Sequence, residues 1–200
     1  MPRPAHRRSA TVAAAPAGAP RRQRRARGLR IQPDAVGTGP RRTAMPDDIV
    51  FDGGSEADRR EIMSALDAYL SANAAYDWQR LAQIWSHDPT NVFFNMNGHT
   101  YVGLAHWTRL WKYYRERVDT GWWEPYDIKV LVRTDMALVT CHRRPARRWK
   151  GPESERLTYD ADRPSFISRS TMVMVKEPGG WKTVHAHFSQ ASREPRPGDI

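Results

Sequence analysis

Residues 180–189 read Gly-Trp-Lys-Thr-Val-His-Ala-His-Phe-Ser, and the alternation over Val184–Ser189 decides how the rest of the chain is read. Val184, Ala186 and Phe188 are apolar while His185, His187 and Ser189 are polar, the two-residue period of a strand with one buried face. The same period runs through Ile128–Val132, Met136–Arg143 and Ser165–Lys176. Thr134-Asp135 and Pro178-Gly179-Gly180 supply two of the turns between these segments. The C-terminal half therefore reads as a run of antiparallel strands.

Upstream the period changes to 3.6. Ser55-x-x-Asp58 has the spacing of a capping box, with Asp in place of the usual Glu. Behind it Ile62, Leu66, Tyr69, Leu70 and Asn73 share one face of a helix. Asp77 predicts the N-cap of a second, shorter helix whose stripe is Leu81, Ile84 and Trp85, and Pro89 follows its end. Val92–Phe94 and His99–Val102 are short strands meeting across Asn97-Gly98, a dipeptide favoured at tight hairpins. Gly103 introduces a third helix, with Leu104, Trp107, Leu110, Trp111, Tyr114 and Val118 inward and Gly121 closing it. The segment Pro145–Pro164 is charged and long for a hairpin loop, and reads as extended ladder, flap or both. The order predicts an α+β domain: a cone-shaped, curved antiparallel sheet with three N-terminal helices packed on its concave face. The open end of such a cone can hold a ligand.

Charge is distributed unevenly. Residues 1–44 hold eleven of the 32 basic residues and one of the 22 acidic ones, Asp34, leaving 21 of each from Met45 onward. A neutral domain has no field to steer it onto phosphates, so nucleic acid is not an expected partner. The first 44 residues are Arg-, Pro- and Ala-rich, with too little apolar surface to offset the entropy of ordering. Residues 1–54 are thus expected as a disordered tail, residues 55–190 as the domain, and 191–200 as a flexible C-terminal tail. Met45 is an alternative start. Other readings of the tail are a targeting signal after Arg7-Arg8 and an arm that grips anionic polymers. One cysteine, Cys141, set between apolar residues, excludes an internal disulfide and reads as a buried inert thiol. No apolar run approaches the ~20 residues needed to span a bilayer, so no membrane contact is expected and the location is expected to be cytoplasmic.

The element order and the terminal Trp181-Lys182-Thr183-Val184-His185-Ala186-His187-Phe188-Ser189 resemble the SnoaL-like (ketosteroid isomerase-like) branch of the nuclear-transport-factor-2-like superfamily. The resemblance covers about Ser55–Ser189. It implies the cone fold and a choice of chemistries: isomerases, polyketide cyclases, dehydratases, epoxide hydrolases, non-catalytic binders and small subunits of ring-hydroxylating oxygenases. It also implies a homodimer formed through the outer face of the sheet. Ketosteroid isomerases use a Tyr of the first helix as oxyanion donor, and Tyr69 is similarly placed. Where they carry the general-base Asp this chain has Phe93 and Phe94, and their second donor aligns near Thr171. Without that base, steroid-type isomerisation is not expected.

The polar residues of the strands carry the remaining expectations. His185 and His187 share one side of a strand and could ligate a metal, but the apolar side should face the helices. The outer face is therefore the reading for both, joined there by Trp181, and no metal or cofactor is expected. On Met136–Arg144 one phase sends Leu138, Thr140, His142 and Arg144 inward, whereas the other sends in the more apolar Ala137, Val139 and Cys141. With the first phase, His142 and Tyr69 become the catalytic candidates. Arg169, Thr171, Arg144, Trp85, Phe94, Trp107, Trp111 and Phe188 become the substrate-binding ones. An arginine in an aromatic pocket calls for an anionic partner such as a ligand carboxylate or enolate. The function expected is binding of an apolar oxygenated small molecule, with isomerisation, cyclisation or dehydration by proton transfer. The alternatives are a non-catalytic binding or assembly domain and an oxygenase small subunit.

Overall fold

The local signals recur as elements in the computed structural model, which describes residues 45–46, 48–160, 166–192 and 197–198. The tail of residues 1–44, most of the C-terminal tail and Ser165, where a strand was expected to begin, lie outside the described residues. Helix α1 (Glu56–Ala75) starts at the expected capping box. Ser55 Oγ accepts from the Asp58 N–H at 3.1 Å, and the Asp58 carboxylate accepts from the Ser55 N–H at 3.2 Å. Helix α2 (Trp78–Ile84) is capped by Asp77, which accepts from the Arg80 N–H at 3.0 Å. Helix α3 (Gly103–Arg117) ends before Gly121, because Val118–Thr120 leaves it as an extended strand.

The main sheet has seven strands. They are β1 (Val50–Asp52), β2 (Val92–Phe94), β3 (Thr100–Val102), β5 (Glu124–Arg133), β6 (Met136–Arg144), β8 (Ser168–Glu177) and β9 (Gly180–Gln190). Their order is β1-β5-β6-β8-β9-β2-β3. The β5–β6–β8–β9 meander is antiparallel, and β1 and β2 add in parallel to β5 and β9. Strand β1 lies ahead of the boundary expected at Ser55, so chain placed in the tail contributes an edge of the sheet. A second, two-stranded ladder pairs β4 (Val118–Thr120) with β7 (Arg147–Trp149), so the long 145–164 segment does contain extended ladder.

Helices and sheet enclose an apolar core. Ile62, Leu66 and Leu70 of α1 meet Ile128 and Val130 of β5, Val139 of β6 and Met172 and Met174 of β8. Strand β9 changes phase along its length. Met174 pairs with Thr183 and Val173 with His185, leaving Val184 as an extra residue. Such a bulge reverses which parity faces inward. Trp181 and Thr183 are therefore buried on one side of it, and Ala186 and Phe188 on the other. This corrects the expectation that Trp181 shares the outer face with His185 and His187: Trp181 is buried, and its Nε1–H donates to Asp58 at 3.2 Å.

Asp58 thereby joins the start of α1 to the β8–β9 hairpin. The Lys176 ammonium at 2.8 Å holds its carboxyl well below its usual value of 3.8, with Ser55 and Trp181 adding to the effect. A depressed folded-state pKa contributes stability that is present above 3.8 and lost as pH falls through the folded value. Asp58→Asn is thus expected to lower the melting temperature at neutral pH. The gap to the parent protein should close on acidification, which thermal melts from about pH 7 down to about pH 2 would measure.

Candidate functional site

The open end of the cone leads to a cavity of about 60 Å³ between α1, α3, the β2–β3 turn and the inner face of β6 and β9. Its wall is largely aromatic, from Tyr69, Tyr76, Trp107, Trp111, Tyr114, Trp123 and Phe188. Its polar lining comes from Asn73, Asn95, Arg143 and Arg147. Tyr69 lies on the buried stripe of α1 at i+7 from Ile62, stacked on Phe188 (5.8 Å between centroids, 8° between planes) and on Trp85 (5.9 Å, 24°). Tyr76 is the C-cap of α1 in the left-handed region (φ 49°), and its ring meets Trp111 edge-on at 6.1 Å.

The charged centre of the cavity is Arg143. Strand β6 adopts the apolar phase, burying Ala137, Val139 and Cys141, and this carries Arg143 inward to 2% exposure. Its Nη1 donates to the Tyr69 hydroxyl at 3.2 Å and its Nη2 to Ser168 Oγ at 2.8 Å. The guanidinium sits over Phe188 (4.5 Å), Trp123 (5.0 Å) and Tyr69 (5.9 Å). No carboxylate pairs with it among the described residues, and its buried Nε–H has no acceptor there. Trp107, which lines the same cavity, likewise holds a buried Nε1–H without an acceptor among the described residues. Burial pushes the Tyr69 phenol above its ordinary pKa, against the opposing pull of the Arg143 charge. Tyr69 is therefore a neutral O–H whose oxygen accepts from a cation, which makes it a better donor. Arg147 differs from Arg143: Asp160, fully buried, accepts from it at 2.7 Å and also takes the Tyr114 hydroxyl at 3.5 Å.

The structure brings together part of the expected set. Tyr69, Trp107, Trp111 and Phe188 line the cavity, and Trp85 packs beneath them against Tyr69, Phe93 and Trp107. The other five face away. His142 is on the outer side of the sheet, paired with Asp127 at 3.1 Å and stacked on Tyr126. Arg144 is exposed and meets Glu124 at 3.2 Å. Arg169 donates to Ser189 Oγ at 3.2 Å and to the Gln190 carbonyl at 3.0 Å on that same outer side. Thr171 stands beside Thr140 and His187 there, while Ser170 and Met172 take the inward positions. Phe94 is 40% exposed against the edges of His185 and His187, and its neighbour Phe93 is the buried one. The reason is common to the strand residues. Burying Ala137, Val139 and Cys141 on β6, and Met172 and Met174 on β8, removes more apolar surface from water than the opposite phase. Arg143, Trp123, Tyr76 and Arg147 were missed. For Arg143 the signal lay in the more apolar phase of residues 136–144, whose next inward position is 143.

A curved sheet capped by three helices defines the nuclear-transport-factor-2-like class, and solved structures agree. The chain is similar to a nuclear-transport-factor-2-like protein of Cytophaga hutchinsonii at 14% identity and TM-score 0.54, covering 66% of this chain and 98% of that one. It is similar to a superfamily member from Salmonella enterica serovar Typhimurium at 18% identity and TM-score 0.55, covering 74% and 99%. It is also similar to a protein of Streptomyces avermitilis from the same family, provisionally named a dehydratase, at 21% identity and TM-score 0.52, covering 68% and 97%. These likenesses show the fold alone. Comparison with curated proteins finds no match. Residues 62–193 match the sequence profile of the SnoaL-like domain, and the chain belongs to that family. No helix among the described residues is long and apolar enough to cross a membrane.

Proposed function

We propose that the domain binds a small oxygenated organic molecule in the aromatic cavity, with Tyr69 and Arg143 stabilising negative charge on one of its oxygens. The observation that carries this reading is the buried Arg143: among the described residues its hydrogen-bond partners are all neutral and its Nε–H has none. Leaving a desolvated cation unanswered is costly, and a ligand oxygen supplies the missing acceptor. Stabilisation of charge that develops on oxygen is what isomerases, cyclases and dehydratases acting by proton transfer require. The provisional naming of the Streptomyces avermitilis relative fits that group. A second reading, a binder without turnover, is favoured by one observation: the described cavity-lining residues include no His, Asp or Glu to act as base.

Mass spectrometry of small molecules retained by the purified protein tests the binding reading, and an empty, ligand-free preparation that takes up no oxygenated aromatic compound would count against it. With a retained ligand in hand, Tyr69→Phe is expected to weaken its binding by about 2 kcal/mol, the contribution of one hydrogen bond to a charged group. His142→Ala, on the outer face, should leave affinity unchanged. The reverse ranking would return the site to the opposite phase of β6.

Self-association through the outer sheet face belongs to the same proposal. A second copy would cover Phe94, His185 and His187, where a large apolar ring is 40% exposed. Sedimentation at micromolar concentration is expected to show a dimer, and Phe94→Glu to dissociate it; a monomeric parent protein would end this part of the proposal.

A further inference from the structure

Resting on the reading of the cavity as a ligand site, we infer that its ligand is a monoanion, a small planar carboxylate with an apolar body. Two cations line the cavity, Arg143 and Arg147, and no acidic side chain does among the described residues. Arg147 is answered within the protein by Asp160 at 2.7 Å. Among the described residues Arg143 is answered by a phenol, a serine hydroxyl and three aromatic rings. Ring faces ease the burial of a guanidinium but leave its in-plane N–H bonds free. Of the five N–H bonds a guanidinium carries, two are used among the described residues, by Tyr69 and Ser168.

The remaining donors lie in one plane, in the fork that matches the two oxygens of a carboxylate. One unanswered positive charge selects one negative charge. A dianion would bring a second charge into a cavity with no further unanswered cation among the described residues. The rest of the ligand is set by the walls. Trp111, Tyr69 and Phe188 present flat apolar surfaces around a cavity of about 60 Å³, which takes the carboxylate and the first atoms of an apolar body whose remainder extends toward the open end. The Tyr69 hydroxyl accepts from Arg143 and keeps its own O–H, which the proposal assigns to the same carboxylate. Arg143 and Tyr69 are then ligand-binding residues for the anionic end, and the aromatic rings serve the body.

The test pairs two probes of nearly equal shape, sodium benzoate and neutral benzamide, titrated into the full 200-residue chain by ligand-observed NMR and tryptophan fluorescence. Benzoate is expected to bind at least about 30-fold more tightly than benzamide, the lower range for a desolvated charge pair. Arg143→Met should erase that preference while benzamide binding persists. Arg143→Lys, which keeps the charge without the planar fork, should retain part of it. Equal affinity of the two probes in the parent protein, or a preference that survives Arg143→Met, would overturn the inference and leave the cavity reading standing. Binding of indole but of neither benzoyl probe would overturn it too. If benzoate, benzamide and indole all fail to bind, the ligand-site reading itself falls and this inference with it. The parent comparison needs no variant, so the inference stays exposed to refutation even if Arg143→Met does not fold.

Discussion

Trp85→Ala is expected to lower the free energy of unfolding by about 4 kcal/mol, in the range for removing a buried aromatic side chain. The indole is 1% exposed and sits at the meeting point of three rings: Phe93 at 4.4 Å, Trp107 at 5.2 Å and Tyr69 at 5.9 Å. Those rings come from β2, α3 and α1, so the void opens where separate elements converge and none can move in without dragging its own contacts. Trp85 also forms a parallel bridge to Thr183 of β9, which ties the end of α2 to the sheet. The stacked Tyr69 would lose its backing, so ligand affinity should fall with stability. For a chain of this length a loss of about 4 kcal/mol corresponds to roughly 10 °C in melting temperature. Chemical denaturation and thermal melts of parent and variant check both figures; a loss below about 1 kcal/mol would mean that the cluster is loosely packed.

Gly103→Ala comes next, with an expected cost of about 3 kcal/mol from backbone strain and overpacking together. Gly103 opens α3 with φ 68°, the left-handed region, and its N–H donates to the Asn91 carbonyl at 2.7 Å. A methyl group there would stand 2.9 Å from the Pro89 carbonyl oxygen and 3.3 Å from Pro89 Cα, both backbone atoms that cannot rotate away. Relief would require α3 to shift, and α3 carries Trp107 and Trp111 on the cavity wall. Gly98, in the β2–β3 turn, provides the contrast. It also has positive φ (83°), but nothing among the described residues lies within 4 Å of an added Cβ, so Gly98→Ala should cost only about 1 kcal/mol of conformational strain. Denaturant titrations of the two alanine variants measure the difference; equal losses would show that the contact with Pro89 is soft.

The comparison of His142 with Arg143 shows how far a linear reading reaches. Both residues end the same strand, and a single-residue change of phase exchanges their places. The stretch 136–144 has polar groups on both parities at its C-terminal end, so alternation alone does not choose between them. Ala137, Val139 and Cys141 settle the matter only because the helices land on that side. On β9 the sequence alternates cleanly over Val184–Ser189, yet the bulge at Val184 sends Trp181 inward with the opposite parity. Strand β1 is three residues long and pairs in parallel with β5, a contact with no local signature in its sequence.

Local chemistry, legible residue by residue, determined the helices, their Ser55 and Asp77 caps, the Asn97-Gly98 turn and the antiparallel run that follows, because hydrogen-bonded caps and periodic burial act over a few residues. It also determined that aromatic rings would line any interior. Which arginine enters that interior was decided only when distant segments packed, since the inward side of a strand is defined by what covers it. The buried cation of Arg143 beside Tyr69 is therefore a product of tertiary structure, and the chemistry proposed for the cavity follows from that placement.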